Sequence, residues 1–421
     1  MSETCPVAHV TGMLDAHVPQ TARTLAIGFS GGGDSTALLH LAHDWARRRA
    51  RELVVLTVDH RFQTGSAGRA HAAAARAQAL NRTAVVLTAP AVPRNEAQAR
   101  SLRHRLLADA ARSASADAVL LGHTWEDQAE TLWMRLSAGT GPRGLAGMRV
   151  CAPSPVWPEG RGLTLVRPLL GIRRAALRAW LRARGVDWDE DPMNQDQAFA
   201  RVRARALSER WPALFDRLAA LAPAAQRLDD AERAAAADCA AGAGQWTQEG
   251  GFVLNRAQYG RAPEAVRLRA LEAIALAVSG ASAPAPGAKL TALDRALQTA
   301  DFAGATLGGA RFFADGRVER DPGAVTGRAD GTPGVDGLRL APGRVTVWDG
   351  RVEMVAPAPG WRVRPHAHTP DLVRGGVACP LTQAAEFGIE ARWLGPQRLK
   401  SWLAPRGLTP LRPLGENVPL A

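Results

Sequence analysis

Ile27-Gly28-Phe29-Ser30-Gly31-Gly32-Gly33-Asp34-Ser35-Thr36 is the stretch on which the fold turns. Thr24 to Phe29 is a short apolar run and reads as a buried strand. Ala37, Leu38, Leu39, Leu41 and Ala42 follow with helical spacing. Strand, glycine turn and helix N-terminus together make an anion site, because the first N–H groups of a helix have no intrahelical partner. Glycines let phosphate oxygens approach the main chain without a Cβ in the way. Asp34 can hold a cation such as Mg²⁺ against those phosphates. An ordinary N-capped turn would also place Ser or Asp ahead of a helix. Three consecutive glycines and Asp34-Ser35 directly after a strand favour the phosphate site. The stretch lacks both the Gly-Lys-Ser/Thr ending of a Walker loop and the spacing of a dinucleotide fingerprint.

Outward from this loop, Leu53–Val58, Ala84–Leu87 and Ala118–Leu121 read as further strands. Helical stretches at 66–80, 95–112 and 125–137 separate them. Alternation of this kind predicts an α/β fold, a doubly wound parallel sheet. Such sheets bind ligands beyond the carboxyl ends of their strands. Ser30 to Ser35, Asp59-His60 and His123 all fall at those ends.

Gly122-His123-Thr124-Trp125-Glu126-Asp127-Gln128-Ala129-Glu130-Thr131 is the second informative stretch. On a helix starting near Trp125, Asp127 and Glu130 are i,i+3 neighbours on one face. Two carboxylates there could hold an ammonium group or a magnesium ion. A capping box of Thr124 and Asp127 is the plain alternative for Asp127, though it leaves Glu130 and His123 without a role. The glycine-rich loop 139–147 carries Arg143, a candidate RNA contact; a flexible connector is its plain alternative. Residues 151–162 hold three prolines and read as an irregular loop, followed by a basic amphipathic helix over 173–184.

Over 421 residues the formal charge is +12, and the sequence holds only two lysines, Lys289 and Lys400. That balance favours a polyanionic partner, nucleic acid being the commonest. Cys5, Cys151, Cys239 and Cys379 are widely spaced, which argues against a disulfide scaffold, a structural zinc or an iron–sulfur cluster. No apolar run is long enough to span a membrane and no signal pattern opens the chain, so the expected compartment is the cytoplasm.

The loop resembles the pyrophosphate loop (PP-loop) of ATP pyrophosphatases, whose fold is adenine nucleotide alpha hydrolase-like. With Gly-His-x-x-Glu-Asp-Gln-x-Glu-Thr at 122–131, the run from Arg135 to Met148 narrows the resemblance. So do Arg-Pro-Leu-Leu at 167–170 and Glu190-Asp191-Pro192-x-Asn194 with Arg201, Arg203 and Arg205. Together, over roughly residues 22–206, they resemble the tRNA(Ile)-lysidine synthetase family. The C-terminal half is only loosely similar, through Leu399-Lys400 and a nearby Arg-Pro-Leu-Gly piece.

The resemblance implies that ATP adenylates the C2 oxygen of the wobble cytidine in the CAU anticodon of tRNA(Ile). Free L-lysine then displaces AMP, giving lysidine and changing codon reading from AUG to AUA. It implies that Ser30, Gly31, Gly32, Gly33, Asp34 and Ser35 bind ATP and that Asp34 serves the Mg²⁺–phosphate cluster. Asp127 and Glu130 would bind lysine, His123 would lie beside the base, and Arg201 or Arg205 would be near the nucleotide. The chain has Glu126-Asp127 where the family often has Asp-Asp, and Val202 where Asn is frequent. The resemblance also points to a homodimer.

Three domains are expected: a catalytic one at 1–206, a mainly helical tRNA-contacting one at 207–311, and a small basic α+β tRNA-binding one at 312–421. Within the last, Arg344 to Val355 reads as a hairpin turning at Asp349-Gly350. Two other readings compete with this one. A tRNA-thiolating enzyme of the same fold would need a cysteine set that Cys5 and Cys151 do not supply by sequence. A non-catalytic RNA-binding protein fits poorly with an intact phosphate loop and acid pair.

Overall fold

The computed structural model describes residues 5–62, 65–190, 200–404 and 414. Asp191, Pro192 and Asn194 of the acidic turn lie outside them, as does the Arg-Pro-Leu-Gly piece except for Leu414.

Helix α1 (Pro6–His17) precedes strand β1 (Thr24–Gly28), which feeds α2 (Gly33–Arg48). Then come β2 (Glu52–Asp59), α3 (Ser66–Ala79), β3 (Thr83–Thr88), α4 (Glu96–Ser113), β4 (Ala118–Leu121) and α5 (Trp125–Ser137). Each expected strand and helix forms here within a residue or two. The one-turn α6 (Gly141–Gly144) leads to β5 (Cys151–Pro153), β6 (Thr164–Val166), α7 (Arg174–Arg182), α8 (Ala200–Arg210) and the long α9 (Pro212–Ala243). Part of the stretch read as an irregular loop is therefore strand: β5 pairs antiparallel with β6 at the sheet edge. Three residues with prolines beside them carry too little periodicity to announce a strand.

The sheet order is β3-β2-β1-β4-β6-β5, parallel except for β5. Ile27 on β1 is registered with Val55 on one side and Leu120 on the other. The chain leaves β1 toward β2 and β3, then returns to the opposite side for β4. That reversal opens a crevice at the carboxyl ends of β1 and β4, where doubly wound sheets bind ligands. Alternate β1 residues serve two cores. Leu25, Ile27 and Phe29 join α1, α2 and α7, whereas Ala26 joins Leu107, Ala108 and Ala111 of α4. Burying both faces fixes the register, because a one-residue slip would exchange them. It thereby fixes where the loop after Gly28 begins.

The chain divides into two compact units between Asp229 and Asp230, inside α9. Position 206/207 lies within α8, and 311/312 lies within the strand Ala310–Phe313. That strand pairs with Gly304–Leu307 and Arg317–Arg320 in a five-stranded antiparallel sheet. In this unit the sheet packs with the helices Glu264–Ser279 and Gly287–Leu297 around Tyr259 and Phe312. Two small antiparallel sheets follow, built around Trp348, Trp361 and Leu372. Thr346–Trp348 pairs with Val352–Val355 across Asp349-Gly350, both at positive φ (51° and 62°), so the expected hairpin is present. No helix among the described residues is long and apolar enough to cross a membrane.

Candidate active site

The loop after β1 is fixed by its own hydroxyls. Ser30 Oγ lies 3.1 Å from Ser35 Oγ, and Ser35 Oγ donates to Gly32 O at 2.9 Å. Thr36 N–H donates to Gly32 O at 2.9 Å, so the N–H groups of Gly33, Asp34 and Ser35 precede the first intrahelical bond of α2. Gly31 stands at φ +83°, and a Cβ there would be 3.0 Å from Asp189 Oδ2. Asp189 closes the far side. Its N–H donates to Gly31 O at 3.0 Å, while Arg76 grips its carboxylate at 2.9 and 2.7 Å. The result is a preformed cradle of backbone donors at the positive end of α2.

Asp34, in the first turn of α2, aims its carboxylate across the crevice. Oδ2 accepts from Arg174 Nε at 2.8 Å, and the buried Oδ1 finds no partner among the described residues. Burial raises the Asp34 pKa and Arg174 opposes the rise. An orphaned carboxylate oxygen beside a phosphate cradle suits Mg²⁺, which usually takes one or two carboxylates and completes its shell with phosphates and water. No group of three or more His, Cys, Asp or Glu side chains among the described residues could hold a metal without such help.

Across the crevice, Gly122 and His123 follow β4, and Thr124 caps α5. The capping box is real: Asp127 Oδ2 accepts from Thr124 N at 2.8 Å and from Thr124 Oγ1 at 3.1 Å. It uses only one oxygen. Oδ1 faces Arg174 Nη2 and Arg201 Nη2, each at 3.3 Å. Glu130, one turn on and fully buried, takes Arg201 Nε at 3.3 Å and Arg205 Nε at 3.4 Å. Arg201 and Arg205 are i,i+4 on α8, so they reach the same acid. Burial, with Asp127 close by, raises the Glu130 pKa. His123 is buried beside Arg167, Arg103 and Arg201; burial first, and then those charges, hold its pKa well below 6.5, so its ring is neutral.

The structure therefore brings together Asp34, His123, Asp127, Glu130, Arg201 and Arg205 from four separate elements. Arg143 is exposed on α6, a turn that Arg135 fastens through Gly144 O (3.4 Å) and Gly147 O (2.9 Å).

Sequence reading missed two features. Arg174 reads in sequence as one cation of a basic amphipathic helix, yet it bridges Asp34 and Asp127, with its own backbone N–H held by Glu126 at 3.0 and 3.2 Å. Buried Arg167 and half-buried Arg103, with the more exposed Arg100, form a cationic cluster near His123. Burial and mutual repulsion push Arg103 and Arg167 down to about 10, and His104 down to about 3. In a chain whose cations are nearly all arginine, nothing local distinguished these from solvated ones. No disulfide joins Cys5, Cys151, Cys239 and Cys379 among the described residues.

Residues 7–209 match the family model of the PP-loop domain. Fold and loop thus define an ATP-using PP-loop enzyme. Over 353 residues the chain is 40% identical to tRNA(Ile)-lysidine synthase of Caulobacter vibrioides, covering 82% of this chain and 78% of that protein. The enzyme of the same name from Hyphomonas neptunium is 40% identical over 69% of this chain and 78% of its own length. That of Methylobacterium nodulans is 42% identical over 63% and 79%. The chain belongs to the tRNA(Ile)-lysidine synthase family.

Proposed function

We propose that this ATP-dependent ligase joins the ε-amino group of free L-lysine to C2 of the wobble cytidine in CAU-anticodon tRNA(Ile). The cytidine O2 attacks the α-phosphorus of ATP and pyrophosphate leaves from the cradle of Ser30 to Ser35. The amine then attacks C2, and AMP departs with O2. What supports this reading is the Asp34–Arg174–Asp127 link. A single guanidinium joins the phosphate loop to the acid pair, so the nucleotide and the amine would meet in one crevice.

Positioning and stabilisation of phosphate charge carry the first step. Mg²⁺ at Asp34 would add Lewis-acid stabilisation there. Asp127 and Glu130 hold the lysine ammonium groups, and Glu130, with its raised pKa, would accept the proton that the attacking amine must lose. The cluster of Arg100, Arg103 and Arg167 suits anionic substrates. Arg143, together with the basic C-terminal half, would contact tRNA phosphates, which position without specifying sequence.

The test is incubation with Mg-ATP, lysine and tRNA transcripts, followed by nucleoside mass analysis. Lysine-dependent modification of a CAU-anticodon transcript is the expected result. ATP cleavage without base modification, or sulfur incorporation, would overturn the reading.

A further inference from the structure

Each oxygen of the acid pair already has a protein partner. Asp127 Oδ2 is taken by Thr124 and Oδ1 by Arg174 and Arg201; Glu130 Oε1 is taken by Arg205 and Oε2 by Arg201. An ammonium entering here meets carboxylates whose charge three guanidinium groups already neutralise. With that charge already balanced, an ammonium has to compete with an arginine for these oxygens. Something anionic must draw an arginine away first.

Of the three arginines, Arg174 is the one that also touches the phosphate loop. Its Nε is bonded to Asp34 at 2.8 Å, and only Nη2, at 3.3 Å, reaches Asp127. Its backbone is anchored independently by Glu126, so the side chain can turn without moving α7. We propose that Arg174 makes lysine capture conditional on nucleotide. Polyphosphate in the cradle draws the Arg174 guanidinium off Asp127 Oδ1, and the lysine ammonium takes its place on that oxygen, which Arg201 Nη2 continues to share. The proposal rests on the function proposed above, with Asp127 and Glu130 as the lysine site. Arg174 acts as a positioning residue. Its dual contact makes the two subsites compete for one cation, so filling one with anion releases the other.

Coupling of this kind is reciprocal: if nucleotide tightens lysine binding, lysine tightens nucleotide binding by the same factor. Equilibrium dialysis with radiolabelled lysine, CAU transcript present throughout, measures it with and without Mg²⁺ and α,β-methylene-ATP, which cannot be cleaved at the bond in question. The expected tightening is about five-fold or more, with an equal effect of lysine on the analogue. Arg174→Met keeps the stem and removes the charge. It should bind lysine without the analogue almost as tightly as the wild-type protein does with it, and its coupling factor should fall to near one. Arg174→Lys should retain part of the coupling. If the Met variant fails to fold, the wild-type reciprocity measurement still decides. Equal lysine affinity with and without the analogue, or undiminished coupling in a folded Met variant, overturns the gate and leaves the lysine site standing. Absence of lysine binding under every condition overturns both.

Discussion

Gly122 lies so close to Ser35 that a Cβ on it would stand 3.2 Å from the Ser35 Cα and 3.3 Å from both Ser35 N and Asp34 O. Those are backbone atoms of the phosphate cradle and cannot swing aside. The end of β4 is thus packed directly against the first turn of α2, which sets how wide the crevice is. Gly122→Ala should push that turn back by a few tenths of an ångström, at a cost of about 1–3 kcal/mol in stability. The larger effect is expected in KM for ATP, measured beside KM for lysine. Unchanged nucleotide binding would show that the cradle tolerates the shift.

Asp34→Ala removes the carboxylate that faces both the metal position and Arg174. AMP formation should fall about 10²–10³-fold, the usual loss when a preorganised charge-stabilising group is deleted. Single-turnover AMP release measures it directly. Near-normal release would remove Asp34 from the phosphate chemistry.

Glu130→Gln keeps the shape of a fully buried side chain while deleting its charge. The lysine requirement should rise much more than the ATP requirement, since among the described residues Glu130 bonds to Arg201 and Arg205 and to no residue of the phosphate loop. Equal changes in both KM values would count against a lysine pocket.

Arg143→Ala should weaken tRNA binding uniformly across transcripts of different sequence. The slope of log affinity against log salt should shrink by about one, the signature of one lost phosphate contact. An unchanged slope in a filter-binding titration would return Arg143 to a connector role.

Histidine burial makes acid stability a separate test. His104 is held at about 3 against an ordinary value of 6.5, chiefly by burial and then by Arg103 and Arg100. Below pH 6.5 the unfolded chain binds a proton that the folded chain refuses. Stability is therefore complete above that pH and declines as pH falls toward 3, by up to about 1.4 kcal/mol per pH unit for one such group. His123, lowered in the same direction, adds to the slope. Urea midpoints between pH 7 and 5 should drop, and His104→Gln should flatten the decline; parallel curves for both proteins would exclude His104.

The parallel sheet, the loop after β1 and the Asp127–Glu130 pair on α5 were legible in the residues themselves. Each rests on local periodicity: a β-branched run, a glycine turn, an i,i+3 spacing. The family, too, could be read from ordered motifs before any coordinates. Tertiary structure alone decided that Arg201 and Arg205 close on Glu130, that Arg174 ties Asp34 to Asp127, and that Arg100, Arg103 and Arg167 gather near His123. The ion pairs among them join residues 47 to 140 positions apart. In a chain with fifty arginines and two lysines, an arginine's meaning comes from what it is buried against, and the packing of α4, α7 and α8 sets that.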